Sequence, residues 1–114
     1  MTGETNLSRL LASLSPRLNP GRFVFCSVPQ PTVVQVAGAL GSFREAEGTT
    51  LILAREEAER LGLTYDYLAA WITLEVHSSL AAVGLTAAFA EALAGEGISC
   101  NVIAGFHHDH LFVA

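Results

Sequence analysis

A chain of 114 residues with 51% hydrophobic and 15% charged side chains can bury one ordinary core or two small interlocked ones, but not two free-standing domains, and it is not disordered. All six basic residues are arginines within residues 1–60, where they meet six acids, while residues 61–114 hold five acids and no Lys or Arg, so the net charge of -5 resides in the second half. With no basic face to neutralise phosphates, nucleic acid and anionic membrane surfaces are excluded as expected partners.

Leu7, Leu10, Leu11 and Leu14 recur at the spacing of one helix face behind Asn6 as a capping residue, which predicts a short helix closing before Pro16. Asn19-Pro20-Gly21 is a turn signal, and Phe23 to Val28 reads as a central strand covered on both faces. Pro29-Gln30-Pro31 breaks it. Thr32 to Leu40 stays undecided, because β-branched residues alternate there with Ala and Gly. Leu40 to Ala46 and Thr49 to Ala54 form two strands folded back at Glu47-Gly48, and Glu56 to Leu61 is a short helix stopped by Gly62.

Trp71 to His77 alternates, with Ile72, Leu74 and Val76 toward a core and Trp71, Thr73, Glu75 and His77 on a wetter face. Ser78 to Gly84 is a turn. Leu85, Phe89, Ala92 and Leu93 mark a helix ending at Gly95-Glu96-Gly97, followed by a strand over Ile98 to Ala104, a turn over Gly105 to His108 and a last strand over Asp109 to Val113. This order opens a split βαβ unit, and the first half loosely echoes it. The class expected from this pattern is therefore α+β, a ferredoxin-like sandwich whose two halves echo one another. Residues 1–22 supply an N-terminal helix and turn, 23–69 the first unit and 70–114 the second.

Cys26 and Cys100 lack any Cys-x-x-Cys spacing and read as reduced thiols, with Cys100 buried beside Ile98 and Val102. The uncharged stretch from Phe23 to Phe43 is interrupted by Pro29, Gln30, Pro31 and Gln35, which rules out a span, and the N-terminus has no signal-peptide pattern. A soluble cytoplasmic protein is the expectation.

The blocks VHSSLAAVGLTA at 76–87 and GISCNVIAGFHHDHLFV at 97–113 resemble a family of small bacterial ACT-like proteins, with weaker likeness at FVFCSV, 23–28, and GSFREAEGTTLIL, 41–53. The resemblance implies two interlocked ACT-like βαββαβ units, an antiparallel sheet packed by helices, in a family without an established enzymatic activity. ACT modules bind amino acids or similar small ligands between units; no cofactor is expected. Members of that family usually continue into a further helix, which residues 70–114 lack. A homodimer in which a partner completes the second unit is therefore expected.

All four histidines, His77, His107, His108 and His110, fall in the second half. His108 and His110 share a strand face and a split βαβ brings His77 near them, a constellation that suits a metal-dependent hydrolase as the alternative function. The preferred reading leaves His107 and His108 solvated in a turn and gives His110 a hydrogen bond to the neighbouring loop, with no metal. Ser78 and Ser79 lie in no nucleophile elbow and suit capping. Purely structural oligomerisation is the third possibility. Gly84 before Leu85 and Thr86 carries the favoured ligand site, because free amides at a helix start attract a carboxylate. Topology gathers Ser78, Ser79, Gly84, Leu85 and Thr86 at one sheet edge, with Asn101 on the adjacent strand to read an ammonium or amide group. The absence of Lys and Arg in this half favours a zwitterion held by backbone amides.

Overall fold

The computed structural model of the chain describes residues 16–75 and 85–114. They contain six strands and three helices in the order β1 (Pro16–Val28), α1 (Val33–Ala37), β2 (Gly41–Glu45), β3 (Gly48–Ala54), α2 (Arg55–Arg60), β4 (Leu68–Leu74), α3 (Leu85–Gly95), β5 (Cys100–Ala104) and β6 (Asp109–Val113). The class is α+β and ferredoxin-like, as the order of elements foretells. The chain divides into two compact units, one holding Pro20–Ala70 and the other Trp71–Ala114 with the start of β1 through Asn19. Both boundaries fall inside strands rather than in loops. The helix expected over residues 7–14 lies outside the described residues.

In the Pro20–Ala70 unit the hydrogen-bonded order is β2-β3-β1-β4. Antiparallel pairing runs from Phe23 opposite Ala54 to Val28 opposite Thr49, and from Gly41 opposite Ile52 to Glu45 opposite Gly48. The hairpin turn is therefore Ala46-Glu47, one residue earlier than expected. Val24, Cys26 and Val28 on β1 meet Leu51 and Leu53 on β3 and Ala58 on α2, with Ala39, Leu63 and Tyr65 packed around them. β1 is central, but its burial alternates and Ser27 is exposed. The expected double cover is thus corrected: an antiparallel strand here buries one face, and its aromatic residues occupy the other only in part, Phe25 meeting Tyr67 edge-on at 6.0 Å. The undecided segment is resolved by a capping box, in which Thr32 Oγ1 accepts from Gln35 N while Gln35 Oε1 accepts from Thr32 N. The helix it starts, α1, buries none of its residues.

In the other unit the order is β1-β4-β6-β5, and β5 pairs antiparallel with β6 from Cys100 opposite Val113 to Ala104 opposite Asp109. Leu74 and Leu111 are fully buried, with Ile72, Phe89 and Cys100 packed against them, so α3 covers the face of β4 that carries Ile72 and Leu74. Cys100 is half-buried rather than buried. The expected turn at Asn19-Pro20-Gly21 is instead part of β1, because Gly21 adopts φ +92° and lets the strand run through. That continuation puts Arg17 and Asn19 beside β4.

Candidate functional site

The site expected from sequence is only partly within view. Ser78, Ser79, Gly84 and His77 lie outside the described residues. Leu85 and Thr86 open α3, and its first turn contains no acidic residue. Asn101 is exposed, stands opposite Phe112 and alternates with Cys100, whose side chain packs in the core under α3. It therefore lies on the sheet face away from α3, at the end of the ladder remote from the 105–108 turn. The structure does not bring Asn101 beside the opening of α3.

That other face holds a connected polar network instead. Asn19 Nδ2 donates to Thr73 Oγ1 at 2.9 Å and to the Trp71 carbonyl at 3.2 Å. Trp71 Nε1 donates to His110 Nδ1 at 3.0 Å, and Thr73 Oγ1 lies 3.3 Å from the same nitrogen. Two expectations are corrected here. The Trp71 and Thr73 face is not wet, since Thr73 is 1% exposed, and His110 bonds to the neighbouring strand rather than to a loop. His108 is also not a solvated turn residue: it is half-buried, and its Nδ1 is buried with no partner among the described residues. His107 is exposed.

The network fixes the chemistry of His110. A ring nitrogen that accepts from Trp71 is unprotonated, so the neutral ring carries its proton on Nε2. Burial, reinforced by the charge of His108 and by Arg17 and opposed by Asp109, holds the pKa of His110 below its ordinary value. Beside the other ring edge Gly105 leaves room that a side chain would not, since a Cβ there would stand 2.7 Å from the His108 carbonyl oxygen and 3.1 Å from His110 Nε2. With Nδ1 accepting from the Trp71 indole, that nitrogen is not available to a metal. Among the described residues no three His, Cys, Asp or Glu side chains converge as metal ligands.

The described concavity with the chemistry of a ligand site lies in the other unit. Where β1 ends and the β2–β3 hairpin turns, Pro29, Gln30, Arg44, Glu47, Gly48 and Thr49 line a groove of about 720 Å³. Arg44 also lines an adjoining groove of about 540 Å³ with Pro31, Val36, Ser42 and Phe43. The other acid of the hairpin, Glu45, accepts from Thr50. Arg44 has no ion pair or hydrogen bond among the described residues, unlike Arg17 with Glu75 and Arg60 with Glu57. An unpaired guanidinium beside a concavity offers a planar fork of donors to a carboxylate, and the Gln30 amide and the Glu47 carboxylate supply neutral and anionic partners beside it. Sequence reasoning passed over this groove. Its signal was slight: Arg44 is the only basic residue between Phe23 and Ala54.

Comparison with known proteins agrees with this architecture. Two ACT domain profiles match, over residues 2–70 and 68–114. No curated protein matches the chain. Among solved structures, a crystal structure from Vibrio cholerae of a protein of unknown function, described as a possible transport protein, is similar. It is 50% identical, with a TM-score of 0.84 over 97% of this chain and 86% of that one. With one profile spanning more than half of the sequence and the other meeting it near the boundary between the units, the chain belongs to the ACT domain family.

Proposed function

We propose that this protein is a non-catalytic regulatory module that binds a small zwitterionic or anionic metabolite, in particular an amino acid. ACT domains are generally regulatory modules for small ligands, and the observation that carries the reading to this chain is the unpaired Arg44 over the groove at the β2–β3 hairpin. A ligand carboxylate pairs with Arg44, and Glu47 and Gln30 face its ammonium group. The edge formed by Ser78, Ser79, Gly84, Leu85 and Thr86 is the second location, favoured by the free amides that open α3. Asn101 belongs to that proposal only through a ligand that reaches the opposite sheet face. The protein works in the cytoplasm, without a cofactor, as a homodimer. Exposed Val33, Val34 and Phe43, at 86%, 62% and 73%, supply apolar surface for association.

Thermal-shift measurement against the common amino acids and keto acids tests the reading. A ligand at one hundred times its dissociation constant stabilises the fold by about 2.7 kcal/mol. Arg44→Gln is expected to abolish that shift, whereas Gly84→Val leaves it. The reverse outcome places the site at the α3 edge and overturns the groove. No response to any member of the panel overturns the functional class. A monomeric mass in sedimentation at about tens of micromolar removes the homodimer.

A further inference from the structure

The two grooves at the β2–β3 hairpin share one pair of residues. Arg44 stands opposite Thr49 in the ladder, and both border the groove at the hairpin turn as well as the adjoining one beside α1. Thr49 is also opposite Val28 on β1, and Ser42 is opposite Leu51. Val28 and Leu51 belong to the core that α2 covers, so Ser42, Arg44 and Thr49 lie on the helix-bearing face of the sheet.

The grooves differ in chemistry. The one at the turn has Gln30 and Glu47 beside Arg44. Glu45 accepts from Thr50, so Glu47 is the acid left to face a ligand. In the adjoining groove Arg44 is the only charged residue of the lining. The side chain that α1 contributes there is Val36, 43% exposed, while the one polar side chain of α1, Gln35, is held in the capping box with Thr32. The volume of this groove, about 540 Å³, suits a small molecule. An apolar group entering it gains by leaving water against Pro31 and Val36, whereas an ionised group loses its hydration without a partner of opposite charge. At the junction, Arg44 and Glu47 balance one carboxylate and one ammonium group. No second cation lines either groove to hold a second carboxylate.

We propose that the ligand of this site is an α-amino acid whose side chain is apolar and longer than a methyl group. Its carboxylate pairs with Arg44, its ammonium group faces Glu47, and its side chain lies in the groove between α1 and β2 against Val36. This rests on the amino-acid binding proposed above and adds its selectivity: Arg44 anchors any amino acid, and Val36 determines which one is preferred.

Calorimetric titration of the full chain with leucine, phenylalanine, alanine, serine, aspartate, lysine and the keto acid of leucine tests it. Leucine or phenylalanine is expected to bind about tenfold or more tightly than alanine, since each methylene in an apolar site discriminates by that order. Serine, aspartate, lysine and the keto acid are expected to be weaker than leucine. Val36→Asn, at a position already half exposed, should bring the affinities for leucine and alanine together. Val36→Thr, which keeps the shape, should narrow their ratio by a smaller factor, and it carries the test if Asn disturbs α1. Binding that Arg44→Gln abolishes but that is equal across the amino acids, or strongest for serine, aspartate or lysine, overturns the selectivity and leaves amino-acid binding standing. An unchanged leucine-to-alanine ratio in both Val36 variants also overturns it, because the side chain then lies elsewhere. Tighter binding of the keto acid overturns it as well, since the ligand is then not an amino acid. Binding of no member of the panel overturns both this selectivity and the function on which it rests.

Discussion

The two units share an order of strands and differ in what holds them together. In Pro20–Ala70, six buried apolar side chains from β1, β3 and α2 form one continuous cluster. In the unit of Trp71–Ala114 the cluster under α3 has two fully buried members among the described residues, Leu74 and Leu111. On the opposite sheet face Phe112 is buried with its ring stacked on Trp71, and Asn19, Thr73, Trp71 and His110 add a hydrogen-bonded network. The same topology is thus compatible with two balances of apolar burial and hydrogen bonding. The polar solution is the one that depends on complete pairing, because a buried donor or acceptor left alone costs more than a satisfied one contributes.

The largest effect that sharpens this contrast is expected in the first core. Leu53→Ala removes a fully buried side chain and should cost about 2–5 kcal/mol in urea unfolding. Leu111→Ala is expected at the low end of that range, since its half-buried neighbours Phe89, Ile72 and Cys100 have room to collapse into the space. Equal losses at the two sites would break the contrast. Next in size is Thr73→Val, which keeps the shape but deletes the hydroxyl between Asn19 and His110. It should destabilise by about 1–3 kcal/mol, and an unchanged unfolding midpoint would show that the network is not a source of stability.

The smallest effect is a dependence on pH. His110 has its pKa lowered in the fold, first by burial, so the unfolded chain binds the proton more readily. Its contribution to stability is fully present above the ordinary value near 6.5, declines as pH falls from there toward the depressed folded value, and levels off below it. Protonation at Nδ1 would also set two donors, the imidazolium and Trp71 Nε1, against each other. Unfolding midpoints measured from about pH 7.5 to about pH 5 should fall with pH in the wild type. His110→Gln should flatten the slope, and identical slopes would exclude His110 as its source.

Much of this fold is legible in the amino-acid order. The β2–β3 hairpin, α3 and β6 follow from patterns spanning a few residues: β-favouring runs on either side of a glycine turn, a helical stripe ending at Gly95, and a short apolar run after a tight turn. Even the undecided stretch after Pro31 is settled by Thr32 and Gln35, three residues apart. Legibility fails where two local signals conflict. Asn19-Pro20-Gly21 has the chemistry of a turn, yet pairing on either side of it draws the segment into a strand, with Gly21 absorbing the distortion at φ +92°.

The candidate sites show the same division. That a helix opens at Leu85 is local information, carried by the sequence around its start. That Arg44 has no partner among the described residues and lines a groove with Gln30 and Glu47 depends on β1 and the hairpin ending at the same edge, which no single stretch of sequence records. His110 is the clearest instance. Its position in a His-Asp-His run suggests a metal, but its chemistry is decided by Thr73 and Trp71, 37 and 39 residues away, and by Asn19, 54 residues before Thr73. The kind and order of the elements therefore belong to the sequence, because backbone preference and hydrophobic period act over a few residues. Which polar groups are satisfied, which thiol or imidazole is buried and which cation is left open belong to the tertiary structure, because only strand pairing and helix packing set the distances between residues remote in the chain.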